Sequence, residues 1–160
     1  MGFLSNLSKK DYCTDKNSKY YGYSNDLRQF CEHRDKYQNY WNLAGEYTQK
    51  INNYYSEFIN NNLSEYNFNL LLEYCNKYIE IVPILKKAQI EENKINNTDY
   101  KTISYCIGYH KLALAYEKLN NYSEAIKICK KAIDEGFYDD KTKGGFKGRI
   151  KRLDKKQKNN

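Results

Sequence analysis

The side chains best suited to metal ligation or nucleophilic catalysis are two histidines, His33 and His110, and five cysteines at 13, 31, 75, 106 and 129. Cys31-Glu32-His33 sets a thiol and an imidazole two residues apart, which on a helix puts them on different faces. A zinc site needs four converging ligands, and no second Cys/His pair stands at ligand spacing. Cys–His nucleophilic catalysis would need a long-range assembly that no local motif announces. His110, close to Leu112 and Tyr116, is placed as a packed or groove-edge residue. A phosphate could be cradled by backbone amides in the run from Lys143 through Gly144, Gly145, Lys147 and Gly148 to Arg149. That run lacks the P-loop spacing and follows no strand, so it is better taken as a flexible helix start. Neither a catalytic residue nor a metal or other cofactor is expected.

Cations are the remaining chemistry, and they are unevenly placed. The net charge is +7, yet residues 141–160 hold nine Lys/Arg against the single acid Asp154, leaving residues 1–140 at −1. A near-neutral body with a basic C-terminal appendage differs from a uniformly basic nucleic-acid domain. Lys147, Arg149, Lys151, Arg152, Lys155 and Lys156 are the candidate phosphate contacts. Phe146 is the sole aromatic among them, so the base-stacking component of nucleic-acid recognition is thin.

These residues must be positioned by helices. The 160 residues suit one domain with a single core. One proline leaves few breakers. Residues 1–24 read as an irregular lead-in, with residues 1–10 a frayed or locally docked end and Tyr20, Tyr21 and Tyr23 able to pack along the first helix. From Asn25-Asp26, a capping pair, Leu27, Cys31, Arg34, Tyr37, Trp41, Ala44, Thr48, Ile51, Tyr55 and Phe58 recur every three or four residues, the helical period. One long helix is preferred over two broken near Gly45. A second pattern begins at Ser64-Glu65. Pro83 cannot continue a straight helix and disfavours helical geometry at Val82, so a turn is expected there, making 65–93 a helix pair, with a single kinked helix as the competing reading. Thr98 or Asp99 should cap a helix running through Ile103, Cys106 and Tyr109 to Leu119. Gly136 is placed to end the helix after that. Phe146, Ile150 and Leu153 then form one narrow apolar stripe on a basic helix over 144–153, with residues 154–160 a disordered tail.

The stretch 109–132 carries the clearest pattern: Leu112, Ala113 and Tyr116, then Tyr122, Ala125, Ile126, Cys129 and Ala132, on either side of Asn120-Asn121. It describes two amphipathic helices around a tight turn, with Ala113 and Ala125 allowing close packing. Over residues 106–139 it resembles a tetratricopeptide repeat, in which antiparallel helix pairs stack into solenoids. Leu112, Tyr116, Tyr122, Ala125 and Ala132 are the residue types that motif prefers. Tyr109, Ala113, Cys129 and Ile133 are near substitutes. Asn120 stands for the turn glycine and tolerates the left-handed backbone it needs, while Phe137 stands for the closing proline. One period on, Lys147 falls where a small residue is required, so the last helix is a cap. The run from Lys141 to Lys156 is also similar to the C-termini of small bacterial tetratricopeptide proteins.

That resemblance implies a concave groove lined by the first helix of the unit, with Ile107, His110, Leu114 and Glu117 facing the partner. A carboxylate clamp would need Lys and Asn where His110 and Leu114 stand. The fold expected is all-α: a short stack of antiparallel helix pairs over 25–153, closed by a basic C-terminal helix. The function expected is a non-catalytic adaptor for a protein or peptide of unknown identity, the alternative being nucleic-acid association through the basic tail. An odd cysteine count without CxxC pairs, no apolar leader and no segment of membrane-spanning length lead to a cytoplasmic expectation. A homodimer through the Tyr-rich helix at 26–60 is left open.

Overall fold

Ser24 ends the lead-in and starts the longest element. Its Oγ accepts the Leu27 N–H at 3.3 Å, the bond an N-cap supplies to an otherwise unpaired amide. The helix it opens, α1 (Asn25–Asn60), is unbroken through Gly45. The computed structural model describes residues 12–100 and 102–159; the first ten residues, expected to form a frayed or docked end, lie outside them, as does Asn160. The lead-in over 12–24 is irregular, tied down by Cys13 N–H to Tyr23 O at 2.8 Å and by Tyr20 Oη to Asp35. Tyr20 docks on α1, whereas Tyr21 and Tyr23 stay exposed.

Along α1 the buried residues Tyr37, Ala44, Ile51 and Phe58 repeat every seventh position, close to two helical turns, giving a seam along one side of the helix. The seam faces α2 (Glu65–Ile95), which runs antiparallel: His33 meets Ala88, and Phe58 meets Phe68 at a ring separation of 5.7 Å. Here the expected turn at Pro83 is corrected, because α2 is one helix. Val82 and Leu85, on either side of the proline, are both 1% exposed, and Pro83 itself is exposed. Packing of the buried face outweighs the local preference, and the ring falls outside it.

A second correction concerns the start of α3, which is Ile107 rather than Thr98 or Asp99. Cys106 is extended (φ −128°, ψ 112°), and the Ser104 carbonyl accepts from Tyr138 N and Asp139 N at 3.1 and 3.2 Å. The backbone before α3 thus finds partners more than thirty residues away instead of coiling locally.

α3 (Ile107–Lys118) and α4 (Tyr122–Asp134) form the hairpin expected from the small-residue spacing, with Ala113 and Ala125 fully buried. Asn120 takes φ 56°, and Asn121 N–H returns to Tyr116 O at 2.9 Å while Asn120 N–H reaches Glu117 O, a paired C-terminal cap. Gly136 at φ 81° ends α4 in the same way, with Phe137 N–H on Ala132 O at 2.8 Å. Gly108 lets α3 cross α2 closely, since a Cβ there would lie 2.7 Å from Cys75 O.

α5 (Gly145–Lys158) docks through Phe146 and Leu153, both fully buried. It does not fray after residue 153 as expected. Lys156 reaches Glu117 of α3 and Gln157 reaches Ser123 of α4, which holds the last turns in place. The result is an all-α stack in which each helix packs on the next. One cluster of buried residues centres on Phe58, Leu71 and Leu112, another on Tyr109, Cys129 and Phe146, and Tyr78, Ile79 and Ile128 touch both. Among the described residues no helix is long and apolar enough to cross a membrane.

Candidate functional site

The loop between α4 and α5 is built around Asp140, which has no solvent exposure. One carboxylate oxygen accepts Thr142 N–H at 3.0 Å and Thr142 Oγ1–H at 2.6 Å, a side chain standing in for a backbone turn. The other accepts Arg149 Nε at 2.6 Å. Arg149, 4% exposed, extends a second nitrogen to Glu117 Oε2 at 2.8 Å, and Lys156 Nζ reaches Glu117 Oε1 at 2.7 Å. Burial alone would raise Asp140; its bonds from Thr142 and Arg149 outweigh that and hold it below the ordinary carboxylate range. Glu117 is likewise lowered, with burial opposing Lys156 and Arg149. Both are charged at neutral pH, so the chain Asp140–Arg149–Glu117–Lys156 alternates in sign from the core outward.

Long side chains therefore bridge α3 and α5 across a cavity of about 450 Å³. Leu114, Glu117 and Lys118 line it from α3, Tyr122 from α4, and Arg149, Arg152 and Lys156 from α5. Arg152 is held by neutral oxygens, Lys143 O at 3.0 Å and Thr142 Oγ1 at 2.7 Å, so its charge is oriented without being cancelled. Lys118 is exposed and has no ion pair among the described residues. Four cations against Glu117 give the walls a positive excess.

The candidate residues divide accordingly. Leu114 and Glu117 come together with Arg149, Arg152 and Lys156. Ile107 does not belong to the groove: it is 7% exposed and packs in the core with Ile51, Phe58 and Leu71. His110 is half-buried, with Nδ1 2.8 Å from Tyr105 Oη. Burial, then the neighbouring Arg149, brings its imidazole down to about 4, so it is neutral at neutral pH. The six basic candidates do not share one face. Lys147, Lys151 and Lys155 are exposed and recur every four residues, whereas Arg149, Arg152 and Lys156 lie on another side, over α3. Arg149 in particular, expected as a solvated phosphate contact, is a buried ion-pair partner.

The glycine run before α5 is not a phosphate nest. Gly145 N–H bonds Thr142 O at 2.9 Å and Phe146 N–H bonds Tyr138 O at 3.1 Å, so amides that would hold an anion are already used. Gly145 has φ 57°, and a Cβ there would sit 2.0 Å from Tyr138 O, which is why this position needs glycine. Cys31 and His33 are both buried, and His33 Nε2 makes a 2.8 Å bond to Ala88 O, so that imidazole is a packing element. Among the described residues no group of three or more His, Cys, Asp or Glu could hold a metal ion.

Asp140, Thr142 and Lys118 escaped the sequence reading. The signal for the first two was local: Asp two residues before Thr, ahead of a glycine-led helix, is an Asx-turn pattern. No protein-family model matches the chain, and comparisons with curated proteins and with solved structures found no match.

Proposed function

We propose that this protein is a non-catalytic interaction module of the tetratricopeptide kind, which binds a segment of another polypeptide in the groove between α3 and α5. The observation that carries the reading is the convergence of α3 and α5 side chains on one cavity: Leu114 and Glu117, singled out as partner-facing, line it with Arg152 and Lys156. The buried Ala113–Ala125 hairpin and the left-handed Asn120 turn support the family assignment. Five buried, unpaired cysteines suit a reducing compartment, in line with a cytoplasmic role.

Affinity capture from a lysate of the source cells tests it, comparing the wild-type chain with Leu114→Arg. The reading expects at least one polypeptide to be retained by the wild type and lost with the variant. Identical retained sets would contradict it. The nucleic-acid alternative draws on the exposed stripe Lys147, Lys151 and Lys155, which would contact phosphates non-specifically.

A further inference from the structure

We propose that the α3–α5 groove selects acidic peptide segments, taking ligand carboxylates on Arg152, Lys118 and Lys156 while Leu114 supplies an apolar contact. This rests on the groove reading and adds the chemistry of the ligand. Arg152 is the central observation. A guanidinium has five N–H donors, and the bonds to Lys143 O and Thr142 Oγ1 use two of them. Both acceptors are neutral, so the group is fixed in place while its charge and its remaining donors stay available to a carboxylate. An arginine oriented before binding loses less side-chain freedom when it pairs, which favours affinity.

The rest of the cavity is consistent with that occupant. Lys118 is a cation without an ion-pair partner among the described residues. Lys156 is about half exposed and pairs with the partly buried Glu117 at 2.7 Å, so its outer side stays open to a ligand carboxylate that can share it. Glu117 acts as the resident anion: it moderates the field and leaves the groove specific for ligands that bring several carboxylates. A polyphosphate backbone fits less well. It would run along an open surface of repeated cations, and the side of α5 that offers one, Lys147, Lys151 and Lys155, is turned away from the cavity.

The test uses the full chain and three labelled probes followed by fluorescence anisotropy: a short Glu-rich peptide containing leucine, its Gln counterpart, and a single-stranded oligodeoxynucleotide of equal charge. The Glu peptide should bind about tenfold or more tighter than the Gln peptide. Arg152→Ala combined with Lys118→Ala should remove most of that difference, and replacing Lys147, Lys151 and Lys155 by Gln should not. Glu117→Gln should strengthen Glu-peptide binding, whereas Asp154→Asn, an equal change of charge beside the lysine stripe, should leave it unaltered. A thermal unfolding curve for each variant separates lost binding from lost folding.

Equal binding of the Glu and Gln peptides overturns the proposal. So does a preference for the oligonucleotide that disappears with the lysine-stripe variant. If the Glu peptide fails to bind while Leu114→Arg still abolishes capture of a polypeptide, the groove reading stands and the acidic selectivity falls. If both fail, both fall.

Discussion

Arg149 Nε donates to Asp140 Oδ2 at 2.6 Å with both side chains removed from solvent, one on α5 and the other in the loop that leads into it. Buried pairs of this kind stabilise little relative to an apolar replacement of both, yet removing one partner strands the other charge. Arg149→Met should therefore cost about 3–5 kcal/mol. Adding Asp140→Asn should recover part of the loss, and a double-mutant cycle on chemical denaturation midpoints measures the coupling. Additive effects of the two substitutions would contradict the geometry.

The pH dependence has two windows. The folded His110 titrates at about 4, below its usual range, so the unfolded chain takes up that proton first and stability falls as pH drops from about 6.5 towards 4. Asp140 and Glu117 are also lowered in the fold; the stability they contribute is present above their ordinary carboxylate values of 3.8 and 4.5 and is lost as pH falls through their folded values. Thermal midpoints recorded against pH should thus decline in two stages. His110→Gln should flatten the upper stage and leave the lower one.

Much of the fold was legible because it is written in local periodicity. The seven-residue seam of α1, the Ala113–Ala125 hairpin and the Gly136 stop all come from spacing and backbone preference. The failures share one cause, tertiary partners that no window along the chain can reveal. Val82 and Leu85, on either side of the exposed Pro83, are themselves buried and keep α2 whole. Ser104 pairs with Tyr138 and Asp139 and delays α3. Glu117 and Ser123 hold the end of α5. Of the residues named from the repeat resemblance, Leu114 and Glu117 line the α3–α5 cavity, whereas Ile107 lies in the core because α1 and α2 cover it. The basic residues of α5 looked alike in sequence, and their separation into a groove side and an outer stripe depends on which face Phe146 and Leu153 dock.

Two glycine substitutions should act with opposite sign. Gly45 lies mid-helix on α1 with nothing within 4 Å of a built Cβ, so Gly45→Ala should stabilise by about 1 kcal/mol through the usual helix preference. Gly145→Ala meets Tyr138 O at 2.0 Å from a left-handed position and should destabilise α5 markedly. Thermal midpoints of the two variants decide the matter.

Undocking the last helix should be costly as well. Phe146 is fully buried, and Phe146→Ala should lose about 3–5 kcal/mol, read as a shift in denaturation midpoint. The same variant should abolish Glu-peptide binding, since Arg152 and Lys156 reach the groove only while α5 is seated.

The interior thiols should be inert. Burial pushes Cys106 up to about 11 and Cys129 up to about 12, and it raises Cys75 further. With a colorimetric disulfide reagent at pH 8, these three should react only after unfolding. Rapid reaction of any of them in the native protein would contradict the packing.

The groove itself is tested most directly by nuclear magnetic resonance of the isotope-labelled chain titrated with the Glu-rich peptide. The largest shift changes should fall on Leu114, Glu117 and Lys118 of α3 and on Thr142, Arg152 and Lys156 around α5. Changes concentrated on Lys147, Lys151 and Lys155, or on α1 and α2 with the groove silent, would contradict the α3–α5 groove as the binding site.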